Sequence, residues 1–534
     1  AITFNQTWYP NLVYVIDGSL TINNGPALTL QPNVVIKFKD ASSNLLVNGV
    51  LIADTTTDQP IVFTSLHDDE HGGDTNNNAG SSWPMPGDWQ RIYYSDSSDD
   101  SRNILRNVAV TYGGSQSSGT YTGRQSVVID SAAPHITDNT LTNSAGYGLY
   151  MVNQANPLVE NNKFVHNLGS AIYIGKASVP TVRNNLITQN SGSAIEITAD
   201  SKPIISGNMV SEDQGNGIKV TGTLAGNTVW DADLVYLPGA VTIPANSTLT
   251  LAPGAVLKFL AGADWTINGQ LVVAGTWDAP IIFTSYKDDF YSGDTNMDGF
   301  RSYPEAGDWG TLKIPTNAAY TTRFNYAIVR YGGAAKTPMI QGGGRTTVII
   351  NNFEVSHSAG SGIAMNDSLS PYNATLVVTD SVIANNFTYG IYMNANTQGF
   401  NYLTVLDSLI TENGNDSALT PYGGIWLNRA ASAELHHNEI VYNKPYGVYN
   451  GGDGVPVVAN GNWWGDSSGP TPVGNGDKVN THNVCTPAPC HVVFDLVYVD
   501  PWLQAPIWTV RSNELVWRND SLQAKFIYLP FVQR

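Results

Sequence analysis

Apolar and polar positions alternate in short runs along this chain, and the runs repeat. Pro134, Pro157, Pro180 and Pro203 recur every 23 residues, as do Asn139, Asn162, Asn185 and Asn208. Gly146, Gly169, Gly192 and Gly215 keep the same step, and so do Leu149, Ile172, Ile195 and Ile218. One period held in four registers marks a repeat whose units cannot bury an apolar face alone and must stack on their neighbours. Within a copy the alternation has period two, a strand signal, and no window carries the period of a helix. The copy from Pro180 to Ile197 holds two apolar runs split by Asn and Gly, so a coil reads as strand, Asn turn, strand, loop. Stacked coils set each strand about 4.8 Å from its copy. Asn in the turn takes left-handed backbone angles and can hydrogen-bond to its copy along the axis. The predicted fold is all-β, a parallel β-helix solenoid of about twenty coils.

The pattern is also duplicated on a larger scale. Ile61-Val-Phe-Thr-Ser65 matches Ile281-Ile-Phe-Thr-Ser285, Gly73-Asp-Thr-Asn76 matches Gly293-Asp-Thr-Asn296, and Gly87-Asp-Trp89 matches Gly307-Asp-Trp309, all at an offset of 220. The chain therefore divides into a first half over residues 1–222, a second half over 223–503 and a tail over 504–534. In the second half Asn352, Asp380, Asp407, Asn438 and Asn462 are the expected equivalents of the repeated Asn, at irregular steps of 28, 27, 31 and 24. The extra residues must loop out of the coils, and such loops are where binding surfaces are usually built. The tail is too apolar for a free end. It reads as a cap strand on its own helix or as an extension that docks on another subunit by strand addition.

Composition narrows the function. Charged residues make up 13% of the 534, and the net charge is −18 with only 26 Lys and Arg, which argues against a nucleic-acid partner. No apolar run reaches the ~20 residues of a membrane span. No signal peptide stands before Ala1, so the chain reads as a mature exported protein. The two cysteines, Cys485 and Cys490, read as a small disulfide clip in an oxidising compartment. Sequons stand at Asn5, Asn246, Asn366, Asn373, Asn386, Asn415 and Asn519.

The coil pattern resembles the right-handed parallel β-helix repeat of the pectate-lyase-like superfamily, over roughly residues 10 to 503. That fold is shared by polysaccharide lyases, glycosidases, surface proteins and phage tailspikes, so the resemblance implies a fold and leaves the activity open. The end of the coils, Asn462-Trp-Trp-Gly-Asp-Ser-Ser-Gly-Pro470, and Asp500-Pro-Trp-Leu503 resemble the terminal element of bacterial and archaeal surface β-helix proteins. The calcium-binding Asp clusters of pectate lyases and the paired Asp and Gly-His-Gly motifs of polygalacturonases do not read out of this chain.

The strongest local motif lies in the loop over residues 286–309. Asp294, Asn296, Asp298, Gly299 and Glu305 occupy positions 1, 3, 5, 6 and 12 of an EF-hand-type calcium loop, with Phe300 supplying a backbone carbonyl. Alternating oxygen ligands wrap a hard cation, Gly allows the sharp turn, and Glu binds with both oxygens. No helices flank it, so Ca2+ would tie the loop to a β scaffold. Asp288, Asp289 and Asp308 could supplement the set. The first-half loop over 66–89 keeps Asp74, Asn76 and Asn78 but has Ala79 and Met85 at positions 6 and 12, with Asp68, Asp69 and Asp88 available to compensate.

Tyr150, Tyr173, Tyr392, Trp426 and Tyr449 each follow an inward aliphatic residue and so point outward, forming a partial aromatic stripe for stacking sugars or a partner protein. Isolated titratable residues, Glu160, His166, Glu196, Lys219, His357, Glu412, His436 and His437, show no spacing that makes them converge. The expected function is an exported, non-enzymatic surface or extracellular structural protein, adhesive or self-assembling and stabilised by calcium, with self-association through the tail or the helix ends. The alternative is a polysaccharide lyase, a glycosidase or a carbohydrate-binding β-helix.

Overall fold

The computed structural model describes residues 1–507 except 57, 117–122, 316–320, 367–372, 396–399, 416–421, 429–430, 452–456 and 481–496. Beyond these it describes the backbone of 508–511, 514–517 and 526–527. Cys485, Cys490 and Asn519 lie outside the described residues.

Each repeat builds three strands. The copy that begins at Pro180 gives Thr181–Arg183, Leu186–Thr188 and Ser193–Thr198, with a corner before Asn185 and another before Asn190. The expected coil had one Asn turn; the second corner is the difference. Two of the three faces of the first unit each contain eight parallel strands, running from Gln6–Trp8 to Ile204–Ser206 and from Val13–Ile16 to Met209–Ser211. The third runs in the same way from Ser19–Ile22 to Gly215–Thr223. The described residues make parallel β-solenoid coils, about 16 turns in all, fewer than twenty because long loops and the irregular coils use more than 23 residues each.

The chain forms two compact units. The first contains Ala1–Ala225, Asp233–Leu237 and Ser292–Arg301, and the second contains Gly226–Ala232, Pro238–Tyr291 and Ser302–Arg534. In the second unit Thr321–Arg330 and Thr347–Ser356 each run through the first corner and serve two faces, bending at Tyr326 (φ 47°) and Asn352 (φ 48°). The tail strands Trp508–Arg511, Glu514–Trp517 and Phe526–Ile527 form their own antiparallel sheet. Ahead of it, Ile507 is buried against Val382, Ala384, Leu409 and Val441 of the second unit, with Trp463 and Leu503 packed alongside.

Inward positions stack as rows. Ile136, Val159 and Val182 are fully buried, as are Phe164 and Ile187, and Leu149, Ile172 and Ile195. Each such side chain contributes about 1.5–3 kcal/mol when removed from water, so a coil is stable only between neighbours.

The corners of the regular coils share one arrangement. A residue with left-handed backbone is followed by a side chain that accepts a hydrogen bond from the coil before. At the first corner these left-handed residues include Asp138, Asn161 and Asn184 (φ 56° to 58°). Asn107 is also left-handed, but Val108 after it only donates its N–H to Asn139. Asn139 donates its backbone N–H and its Nδ2 to Asn162 Oδ1, both at 2.9 Å, Asn162 does the same to Asn185, and Asn185 to Asn208. At the second corner Ser144 N–H donates to Asn167, Asn167 to Asn190, and Asn190 to Asp213. This second ladder also keeps the 23-residue step.

In the second unit the first-corner ladder is Ser381, Ser408, Asn438 and Asn462. Asn352, Asp380 and Asp407 stand one position earlier, as the left-handed corner residues (φ 48° to 51°). Only Asn438 and Asn462 of the expected set are ladder residues. Serine serves because the ladder needs an accepting side-chain oxygen, which Ser, Asn and Asp share.

Candidate functional site

Both long loops leave the second face and return to the core through a tryptophan. Trp89 is fully buried, stacks on Phe38 at 3.9 Å and donates Nε1–H to the Thr111 carbonyl. Trp309 repeats this with Phe259 at 4.3 Å and the Arg330 carbonyl. Under each loop lies a fully buried lysine, Lys37 or Lys258. Lys37 Nζ donates to the Gly73 carbonyl at 2.7 Å. Burial pulls the Lys37 pKa down, while Asp68, Asp69 and Asp74 resist the shift. The first loop thus already carries a protein cation beside the residues expected to hold Ca2+.

Asp294 folds its own loop. One carboxylate oxygen accepts the Asp298 N–H and the other accepts the Gly299 N–H at 2.9 Å, and Gly299 is left-handed (φ 63°). Asn296 Nδ2 donates to Asp298 at 3.1 Å. Carboxylate oxygens of Asp294 and Asp298 lie within 4.8 Å of each other. The Glu305 backbone N–H donates to Asp308 at 2.9 Å. The next residue after Gly299, Phe300, is exposed and left-handed (φ 65°).

Asp74 makes the same turn, accepting N–H donors from Asn78 at 3.0 Å and Ala79 at 2.8 Å, which hold its pKa below the usual carboxylate range. Asn76 and Asn78 both donate to Ser82 Oγ. The supplementary aspartates staple loop to strand. Asp68 accepts from Thr64 and from His71 Nδ1 at 2.7 Å, and Asp88 accepts from Ser65 and the Met85 N–H. Asp288 accepts from Thr284, and Asp308 accepts from Ser285 and from Lys287 Nζ at 2.7 Å.

The outward aromatics stack on one another. Tyr150 and Tyr173 lie 4.4 Å apart with planes 7° from parallel, and Trp426 and Tyr449 lie 3.8 Å apart at 8°. Tyr389 stacks on Tyr392 at 5.0 Å. Faces are turned along the coil axis toward the next ring, so the ring edges are what these stacks turn outward. Asn366, Asn394 and Asn428 run alongside as a polar ladder at 2.8 and 3.0 Å.

The isolated titratable residues have clear positions. His166, His357, Glu412 and His437 are left-handed corner residues, with φ between 54° and 59°. Glu160 pairs with Arg183 at 2.9 Å, and Glu196 with Lys219 at 3.3 Å, each on the adjacent coil. His437 bonds Asp407 at 2.6 Å, and His436 Nδ1 faces the Asn460 carbonyl at 3.2 Å. Sequence reasoning missed the second ladder and the Arg330–Glu354 pair. The ladder's signal was present in the step of Asn167 and Asn190; the pair had none. The sequon residue Asn386 is a buried ladder residue bonded to Asn413, and so is closed to modification in the folded chain.

Residues 88–234 match the family model described as the right handed beta helix region. No curated protein matches the chain. Among solved structures, a PL6 family alginate lyase, AlyGC, is 9% identical over 84% of this chain and 88% of its own, at a TM-score of 0.18. A mutant of that enzyme is 11% identical, with coverage of 84% and 85%, also at a TM-score of 0.18.

Proposed function

For this right-handed parallel β-helix repeat protein, we propose an extracellular, non-enzymatic structural role, with the solenoid as an adhesive or self-assembling scaffold. One observation carries the reading. Of the titratable side chains that the sequence singles out, His166, His357, Glu412 and His437 are corner residues, and Glu160 and Glu196 pair along the axis with Arg183 and Lys219 of adjacent coils. Residues chosen by coil geometry in this way hold the repeat together, whereas catalysis needs groups that converge on one reacting atom. Ca2+ held by loop 286–309 belongs to the same proposal, and its support is the complete sequence spacing from Asp294 to Glu305.

The test has two arms. The intact chain is incubated with neutral and acidic polysaccharides, with and without Ca2+, and assayed for new reducing ends and unsaturated products. In parallel, light scattering and electron microscopy follow assembly, and pull-down on the same insoluble polysaccharides follows adhesion. Assembly or adhesion without products is expected. Turnover of any polysaccharide that is lost in Glu196→Gln or His437→Ala would replace this reading with the enzyme.

A further inference from the structure

The ladder at the second corner ends on an aspartate in the first unit. Asn190 donates its backbone N–H to Asp213 Oδ1 at 2.8 Å and its Nδ2 to the same oxygen at 2.7 Å. Asp213 is fully buried, and among the described residues its Oδ2 has no hydrogen-bond partner.

The rest of the ladder shows what that second atom should do. Each asparagine uses Nδ2 to donate to a carbonyl three residues before the preceding rung. Asn167 reaches the Leu141 carbonyl at 3.2 Å, and Asn190 the Phe164 carbonyl at 3.1 Å. Asn413 and Asn443 of the second unit do the same to Ile383 and Ile410, each at 2.8 Å. For Asp213 the repeat sets the Ile187 carbonyl in that place. Two oxygens facing each other without a proton repel, and a buried polar atom left unpaired is costly.

We infer that Asp213 closes its ladder as a neutral carboxylic acid, its Oδ2–H donating to the Ile187 carbonyl, so that the seating of the last coil of the first unit depends on pH. The first ladder ends instead on Asn208, which is half-buried and whose Nδ2 donates to the Val182 carbonyl at 2.9 Å and the Ser206 carbonyl at 3.3 Å. Asp213 is wholly buried, and as a carboxylic acid it brings one donor for the one carbonyl. Burial pushes the Asp213 pKa up to about 6, against the pull of the Asn190 donors. Glu212, which takes a 2.7 Å bond from Gln189 and precedes Asp213, acts in the same direction. The Asp294 segment packs beyond Asn216, whose Oδ1 accepts the Asp213 N–H. Among the described residues no Lys, Arg or His side chain is bonded to Asp213. The ladder of the second unit also ends on an aspartate, Asp477, which takes both Asn443 donors at 2.9 Å but whose carboxylate also meets the Tyr442 N–H. It serves as a comparison.

The experiment uses the full chain, Asp213→Asn and Asp213→Ser, the latter returning to the residue type that begins the ladder at Ser144. Thermal melting is followed from about pH 4 to about pH 8, the window that brackets a raised carboxyl pKa. The wild-type melting temperature should fall more steeply with rising pH than that of either variant. Infrared difference spectra at the acidic end should show a protonated-carboxyl stretch that both variants lose. Equal pH slopes in the wild type and a folded variant would overturn the inference. So would an unchanged carboxyl band, which can be read even where one variant does not fold.

Discussion

Arg330 and Glu354 form a two-point ion pair inside the second unit, Nε to Oε1 at 2.6 Å and Nη2 to Oε2 at 2.7 Å. Both side chains are almost wholly buried, and Ser356 adds a third donor to Glu354 at 2.6 Å. Burial works against the Arg330 charge, and Glu354 outweighs it. The same rung of the first unit carries Thr111 and Thr140, which shows that the coil does not require charges there. Breaking such a pair leaves an uncompensated buried charge, at a cost of about 3–5 kcal/mol, while removing both partners is often close to neutral. Glu354→Gln should therefore lower the melting temperature sharply, and Arg330→Thr with Glu354→Thr should recover much of the loss. A double variant as unstable as the single one would show that the pair itself is needed.

The repeat, its parallel strands and its first corner were legible because one residue type, Asn, recurs there at a fixed step. The second corner was not, because Ser144, Asn167, Asn190 and Asp213 share an accepting oxygen and not a residue type. The same substitution logic displaced the reading in the second unit, where Ser381 and Ser408 stand in for Asn and the neighbouring Asp380 and Asp407 drew the eye. Arg330 and Glu354 lie in coils of irregular length, so no step predicts that they meet. The calcium-type spacing was legible from Asp294 to Asp298, whereas the turn in which Asp294 accepts the Asp298 and Gly299 N–H groups is a matter of backbone geometry that spacing does not give.

The two long loops differ in how pH should act on them. In the first, His71 bonds Asp68, and that bond raises its pKa above 6.5 despite burial. In the second, the equivalent residue is Tyr291, and Lys287, at the position of His67, bonds Asp308. A raised histidine pKa contributes stability that is complete below the unfolded value and is lost as pH rises through the folded one. Limited proteolysis within 66–89 should quicken between about pH 6 and about pH 9, while cleavage within 286–309 stays level. His71→Gln should remove the dependence; if it persists, another group governs the loop.

Calcium gives a separate prediction for loop 286–309. A cation that binds only the folded state stabilises it by RT ln(1 + c/Kd), where c is its free concentration, and so raises the melting temperature as c rises. Chelation should lower that temperature, Ca2+ should restore it, and Asp294→Ala should abolish the response. Asp74→Ala, in the loop that has Ala79 and Met85 in place of the Gly and Glu, should leave most of the response intact. A melting temperature indifferent to chelator and Ca2+ would remove calcium from the account.

Position along a ladder should decide what an asparagine is worth. Asn162 lies in mid-ladder and is almost fully buried, accepting two bonds from Asn139 and donating to the Ile136 carbonyl at 2.8 Å. Asn162→Ala would strand both Asn139 donors in a dry interior, and each unmade buried bond costs about 1–3 kcal/mol. Asn208 ends the same ladder and accepts the equivalent pair from Asn185, but it is only half-buried, so water can reach the donors left by Asn208→Ala. Asn162→Ala should thus be the more destabilising by about 2 kcal/mol or more, read from denaturant midpoints at equal slope. Asn162→Asp separates the two halves of the role, since it keeps the acceptor for Asn139 at every pH but can donate to the Ile136 carbonyl only while its carboxyl is protonated. It should fall between wild type and Asn162→Ala at acidic pH, where the carboxyl is neutral, and approach Asn162→Ala as pH rises and the buried charge forms. Equal losses for Asn162→Ala and Asn208→Ala would mean that the stack of apolar rows, and not the ladder, sets the stability of these coils.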